Sequence, residues 1–142
     1  MTTGTTPDPG RSVRRGRSLE VPGVTHGGAP IPMGARVGHT IYSSGIAGVD
    51  PATGRVAPDA PSQARWAFAH LRTLLQAGGA SLDDVVRVTV YLKDPAAREP
   101  DNAEWIACFP DPHDRPARHI LAYDLQHGML LQLEAVAVVQ DR

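Results

Sequence analysis

The stretch SQARWAFAHLRTLLQAGGASLDDVVRVTVYLK, residues 62–93, decides the fold. Its first half predicts an amphipathic helix, because Ala67, Leu71 and Leu74 recur at helical spacing and form one apolar stripe. The glycine pair at 78–79 ends that helix, since glycine readily adopts the conformation found just beyond helix C-termini. A run of strand-forming residues follows at once, so the stretch predicts a domain that combines helix and sheet.

Polar side chains and alternation define the elements of this stretch. Asp59 or Ser62 can cap the start of the helix, and SLDD from Ser81 has the spacing of a capping box. The segment VVRVTVYLK, residues 85–93, predicts a strand because it is rich in β-branched residues. Its alternation places these residues on one apolar face: Val86, Val88, Val90 and Leu92.

Two further strand regions flank this centre. On the N-terminal side, ARVGHTIYSSGIAGV, residues 35–49, predicts a single strand, and the turn sequence DPATG follows it. On the C-terminal side, a second helix is expected from about 101 to 109. Two closing strands, at 117–125 and 129–139, are separated by QHG, which predicts that they pair as antiparallel neighbours.

The element order is therefore β-β-α-β-α-β-β, and it predicts an α+β domain: a single mixed sheet with two helices packed on one face. The helix between the second and third strands requires a parallel crossover, which should be right-handed. The other face of the sheet is half-apolar, with Val85, Tyr91, Val136 and Val138 between charged residues. Such a face predicts a partner subunit.

Composition limits the classes of function. A length of 142 residues suits one domain, which we place at 18–142 after a disordered N-terminal tail at 1–17. The net charge of -1 and the lack of a long apolar run argue against nucleic-acid and membrane partners. The single Cys108 excludes an intramolecular disulfide and favours a cytoplasmic setting. The scattered histidines predict no metal site.

Arg118 and Glu134 are the strongest candidates for chemistry. Arg118 opens a strand directly after the stiff loop FPDPHDRPA, residues 109–117. It is either a strand-end ion-pair partner or an anchor that binds a carboxylate through its planar fork. Glu134 shares a strand face with Gln132, opposite the core residues of LLQLEAVAV. It is either a solvated or structurally paired glutamate, or a carboxylate at a pocket wall that transfers protons near neutral pH.

Five segments in order resemble the reactive intermediate deaminase (Rid) family: VGHTIYSSGIAGVDPATG, the 63–94 helix and strand, NAEWIACF, RPAR and LEAVAV. The resemblance implies a chorismate-mutase-like homotrimer with sites between subunits. It implies hydrolysis of small carboxylated enamines and imines to a keto acid and ammonia, without a cofactor. It also implies roles for particular residues: Arg118 holding the substrate carboxylate, Glu134 near the water, and Ser44, Gly45 and Asn102 lining the site.

Two positions depart from the family pattern. Where enamine-active members carry a tyrosine this chain has Ile31, and where many have a cysteine it has Ile120. The pocket should therefore be more apolar and lack that phenol. The segments HGGAPIP and RPARH resemble divergent members of the family, including ones similar to 2-aminomuconate deaminase. The two departures also leave open a non-catalytic trimer that binds small carboxylates.

Overall fold

The structure, a computed structural model, describes residues 16–141. The predicted tail lies almost wholly at 1–15, outside the described residues. Two α-helices and nine short strands follow one another, and their bounds are these: β1 Ser18–Leu19, β2 Gly34–Val37, β3 Thr40–Ser43, β4 Ile46–Ala47, β5 Val49–Asp50, β6 Arg55–Val56, α1 Ala60–Ala77, β7 Val85–Leu92, α2 Arg98–Cys108, β8 Ala117–Ala122 and β9 Leu131–Val138.

The strands of the described chain form one large mixed sheet and a small two-stranded one. The large sheet has the order β1-β2-β3-β9-β7-β8, with β4 pairing a further part of β9, and the small sheet joins β5 to β6. β7 and β8 pair in parallel, while the other pairs of the large sheet are antiparallel. Both helices cover the same face, where α1 contacts α2 and β9. The predicted α+β fold class is confirmed.

The helix α1 is built as its sequence predicts. The Asp59 side chain accepts a hydrogen bond from the Ser62 backbone N–H at 2.8 Å, and this caps the first turn. Its apolar stripe is completely buried, with Leu71 and Leu74 at 0 % exposure. The helix lies so close to the sheet that only glycine fits at Gly48, where an added Cβ would stand 2.2 Å from the Gln63 carbonyl oxygen.

The segment 35–49 is a hairpin, so the prediction of a single strand was wrong. β2 and β3 pair through Val37 and Thr40 across a two-residue turn at Gly38 and His39. Gly38 has a φ of +60°, a value that glycine adopts without strain. Because opposite residues of an antiparallel pair share a face, Val37 points away from the buried Ile41 and is exposed.

The apolar face of β7 also differs from the expectation at its start. A register shift relative to β9 lies between Val85 and Arg87. The irregularity turns Val85 into the core, where it is 8 % exposed, and leaves Val86 49 % exposed. A strict two-residue alternation had placed these two valines the other way round, whereas Val88 and Val90 are buried as predicted.

The two closing strands are not neighbours, which corrects the predicted hairpin. β9 crosses the sheet to lie between β3 and β7, and β8 forms the outer edge beside β7. The loop that joins them turns through His127, which has a φ of +60°, and Gly128. Within β9 the predicted alternation is confirmed, because these residues are buried: Leu131, Leu133, Ala135 and Ala137.

The face of the sheet away from the helices is open in the chain described here. Tyr42 and Val138 are 60 % and 37 % exposed, and Glu134 lies on the same face, further along β9. No helix within residues 16–141 combines the length and the apolar character that crossing a membrane requires.

Candidate functional site

One cavity on the open face contains four of the residues that were predicted to form the site. It has a volume of about 430 Å³. Its walls include Ile31, Ser44, Gly45 and Glu134, brought together from the loop before β2, the break after β3, and β9. The remaining wall residues were not predicted: His26, Tyr91, Tyr123 and Gln132.

Ser44 and Gly45 form a fixed stretch of backbone in this cavity. The Ser44 hydroxyl donates to the Pro32 carbonyl oxygen at 2.7 Å, so it holds the preceding loop in place. His26 Nε2 lies 2.9 Å from the Gly45 carbonyl oxygen. A Cβ on Gly45 would stand 2.6 Å from the Gln132 amide nitrogen, so the Gln132 side chain packs directly against this glycine. The serine is therefore a hydrogen-bonding residue at a strand end rather than an activated nucleophile.

Glu134 is paired with a phenol across the sheet. The Tyr91 hydroxyl donates to Glu134 Oε1 at 2.7 Å, and this hydrogen bond to the carboxylate raises the pKa of Tyr91. Tyr123 packs edge-on against Tyr91, with ring centroids 5.9 Å apart. The cavity thus contains two phenols, Tyr91 and Tyr123, although Ile31 replaces the family tyrosine. The pocket lacks the phenol of the family position, as expected, but it has these two others. The sequence alone could have predicted Tyr91 as a neighbour of Glu134, because strand alternation puts both side chains on the open face of the sheet.

Arg118 lies on the other face of the sheet. It is paired with Val88 in the register of β7 and β8, and Val88 belongs to the helix-covered core. Its Nη1 donates to Asn102 Oδ1 at 2.8 Å and to Asp101 Oδ2 at 3.2 Å. The guanidinium carbon lies 4.9 Å from the centre of the Trp105 ring. These contacts from α2 fix the guanidinium, whose side chain remains 23 % exposed.

The partner of Arg118 is a fully buried carboxylate that the sequence did not reveal. Asp101 is 0 % exposed, and its Oδ1 has no hydrogen-bond partner among the described residues. Burial raises the pKa of Asp101 to about 6, against the opposing attraction of Arg118 and Arg98. Arg118 therefore forms an ion pair at the start of its strand, as the first of the two alternatives predicted. If it also binds a ligand, it must do so while it remains paired with Asp101.

We expect Asp101 to make folding stability depend on pH. Because its pKa in the folded protein lies above the usual 3.8, its contribution is fully present below that pH and is lost as pH rises through about 6. Replacing Asp101 with asparagine removes this loss. The difference in free energy of unfolding, variant minus wild type, should therefore increase by about 3 kcal/mol from pH 4 to pH 8.

Urea denaturation at five pH values and one protein concentration measures this difference. The fixed concentration matters because association also contributes to apparent stability. A constant difference between variant and wild type across the range would contradict the assignment. The matched control is Asp83→Asn, since the Asp83 side chain is exposed.

Arg118 and Glu134 are not brought together within one chain. They point to opposite faces, and β7 lies between their strands. Two strand spacings separate β8 from β9 by roughly 10 Å before the thickness of the sheet is added. Asn102 and Ile120 lie on the Arg118 side, where Ile120 packs against the core. The predicted site residues thus form two groups, one on each face. Within residues 16–141 no three His, Cys, Asp or Glu side chains converge as metal ligands.

The fold and this arrangement define a small α+β domain with a carboxylate and phenol pocket on its open sheet face. The chain belongs to the family described as Endoribonuclease L-PSP, whose model matches residues 31–139. It is 32 % identical over 111 residues to a 2-iminobutanoate/2-iminopropanoate deaminase of Salmonella typhimurium, covering 77 % of this chain and 87 % of that protein. A RutC family protein of Pyrococcus abyssi is 34 % identical over 116 residues, covering 77 % and 90 %.

A solved structure supports the same assignment. The Escherichia coli protein TdcF with bound serine matches with a TM-score of 0.78 at 25 % identity, over 87 % of this chain and 99 % of that one. The resemblance to reactive intermediate deaminases is confirmed by these relatives. The finer likeness to 2-aminomuconate deaminase remains a prediction.

Proposed function

We propose that this protein hydrolyses small carboxylated imines, and enamines through their imine tautomers, to a keto acid and ammonia. The observation that carries the proposal is the Glu134–Tyr91 pair, which stands in the cavity next to the Ser44–Gly45 backbone. The name of the Salmonella relative, an imine deaminase, supports the same reaction class. The serine bound to TdcF is itself a small carboxylated amine, which supports the substrate class.

The proposed site is completed between subunits of a homotrimer. Arg118 lies on β8, the outer edge of the sheet, and the Glu134 cavity lies on an open face with exposed apolar residues such as Tyr42. When the edge of one protomer meets the open face of another, Arg118 of the first can reach the cavity of the second. This arrangement explains why two groups that must act on one small molecule point in opposite directions within a chain. It also buries the exposed apolar side chains.

Arg118 is suited to the substrate carboxylate in spite of Asp101. Among the described residues only Nη1 of its guanidinium makes hydrogen bonds, so Nε and Nη2 remain to bind two carboxylate oxygens. The Asn102 and Asp101 contacts and the Trp105 ring hold the group in position before a ligand arrives, which lowers the entropy cost of binding.

The reaction requires little chemistry beyond orientation and proton transfer. A water oxygen adds to the imine carbon and forms the new C–O bond, while Glu134 accepts a proton from that water. Glu134 returns this proton to nitrogen and gives a carbinolamine. It then carries the second proton, from the carbinolamine hydroxyl, to the departing nitrogen as the C–N bond breaks and the C=O bond forms, so that ammonia leaves the keto acid. Because Tyr91 occupies Oε1, the second carboxylate oxygen of Glu134 is available to the water. No external oxidant or reductant enters this balance, and we propose no cofactor.

The direct test is a panel of imines generated in the assay by an amino-acid oxidase, with ammonia release followed in time. We expect the wild type to exceed spontaneous hydrolysis clearly. Glu134→Gln keeps the size and one acceptor but cannot take a proton, so it should lower kcat by about a hundredfold. Glu99→Gln, at an exposed position on α2, is the control and should keep full activity.

Two results would contradict the proposal. One is a wild type that accelerates none of the imines, and the other is a Glu134→Gln variant as active as the wild type. Saturable binding of keto acids without any turnover would instead support the alternative of a non-catalytic carboxylate-binding trimer. Sedimentation or light scattering on the same samples tests the trimer independently of the chemistry.

A further inference from the structure

A second cavity adjoins the one that contains Glu134. Its volume is about 420 Å³, close to that of the first. The two share His26, Gly45 and Gln132 as wall residues. We call them the outer cavity, with Glu134, and the inner cavity. The two cavities are therefore direct neighbours across these three residues.

The lining of the inner cavity is apolar. No aspartate, glutamate, lysine or arginine is among its wall residues. Its polar wall groups are hydroxyl, amide and imidazole side chains and glycine backbone. Six side chains supply the apolar surface: Val24, Met33, Ala47, Val49, Val56 and Met129. The six apolar side chains suit an apolar occupant, because burial of hydrocarbon against them is favourable.

The inner cavity is held open by the helix beneath it. The buried Gln63 side chain donates to the carbonyl oxygens of Ala57 and Gly128 at 2.9 and 3.1 Å, and it accepts from the Leu130 N–H at 2.8 Å. The buried His70 lies 2.6 Å from the Val49 carbonyl oxygen. These bonds fix three wall segments to α1, so the cavity is formed before a ligand binds.

Gln132 stands at the junction of the two cavities. Its amide packs against the Gly45 backbone, and its Nε2 has only a weak contact of 3.8 Å with the Met129 sulfur. His26, on the other side of Gly45, keeps a buried Nδ1 without a partner among the described residues. Polar groups with unused hydrogen-bonding capacity therefore lie at the junction, and the six apolar side chains lie behind it.

We infer that the inner cavity receives the substrate's side chain, and that the preferred substrates are α-imino acids with apolar side chains of four or more carbons, branched or aromatic. The inference rests on the proposed function and goes beyond it by naming the substrate class. Pockets that enclose small ligands begin at about 300 Å³. An imine whose side chain is a single methyl group leaves the inner cavity empty and forgoes the contact with its six apolar residues.

The experiment compares imines derived from alanine, leucine and phenylalanine. The wild type should show a kcat/KM at least tenfold higher for the leucine or phenylalanine imine than for the alanine imine. Ala47→Phe and Val56→Phe fill the inner cavity from two different walls, which guards against misfolding of either variant. Both should lower the ratio of leucine to alanine activity at least tenfold. Ala96→Phe, at an exposed position, is the control and should keep the ratio.

The outcomes separate this inference from the proposed function. The inner cavity is not the side-chain site if the imines are hydrolysed but the ratio of leucine-imine to alanine-imine activity does not exceed one. The same conclusion follows if that ratio is unchanged in either filling variant. If no imine is hydrolysed, the proposed function fails, and calorimetric titration decides the inference. Tighter binding of 4-methyl-2-oxopentanoate than of pyruvate, lost in both filling variants, then supports it. Equal binding of the two keto acids overturns it.

Discussion

Replacing Arg118 with alanine should lower kcat/KM for imine hydrolysis by about a thousandfold. In the proposed site the variant lacks two charged hydrogen bonds to the substrate carboxylate, each worth about 1.5 to 3 kcal/mol. Arg118→Lys keeps the charge but not the planar fork, so its loss should be intermediate. Steady-state kinetics on the best imine of the panel measures all three enzymes.

The structure determines how this experiment has to be controlled. Arg118→Ala leaves the buried Asp101 without its cation, and a stranded buried charge destabilises a protein by several kcal/mol. The double variant Arg118→Ala with Asp101→Asn removes that cost. Arg115 is the matched control, because it is exposed and its Nε donates to the Phe109 carbonyl oxygen within its own loop. Full turnover in the double variant would rule out Arg118 as the anchor.

The second large effect is expected at Gly48, which is not a wall residue of either cavity. An added methyl group would stand 2.2 Å from the Gln63 carbonyl oxygen and 2.3 Å from its Cα. Both atoms belong to the backbone of α1, so the clash cannot be relieved by a rotamer change. Gly48→Ala should therefore reduce the free energy of unfolding by about 3 kcal/mol or more. Chemical denaturation or the loss of folded protein on expression measures this effect.

Gly28 provides the comparison for Gly48. A Cβ at Gly28 meets no atom within 4 Å, and its φ is not in the left-handed region. Gly28→Ala should leave stability unchanged or raise it slightly, since alanine restricts the unfolded chain. Equal stability of the two alanine variants would contradict the close approach of α1 to the sheet.

Local signals in the sequence were sufficient for the two helices, for the strands β7, β8 and β9, and for one half of the candidate site. The helix stripe and its cap at Asp59 depend on neighbours three and four residues apart, which a sequence displays directly. The alternation in β9 placed Glu134 correctly opposite the core. The ordered match from 37 to 138 then gave the family, because several weak motifs in one order are specific together.

Pairing across the sheet was beyond such signals. The QHG turn predicted that β8 and β9 are neighbours. In the structure β9 instead pairs with both β3 and β7, and no residue near the turn indicates these distant partners. The same non-local geometry puts Arg118 and Glu134 on opposite faces. Asp101 was missed because an aspartate in the first turn of a helix ordinarily faces water, and only the packed structure reveals its burial.

The position of β9 has a consequence for how the chain is made. β9 is the last strand among the described residues, yet it is hydrogen-bonded to β3, β4 and β7 in the middle of the sheet. Until residue 138 has left the ribosome, β9 cannot pair with β7 or pack against the apolar side of α1. Nascent chains should therefore remain sensitive to protease and dependent on chaperones until synthesis passes that point, and then fold in one late step.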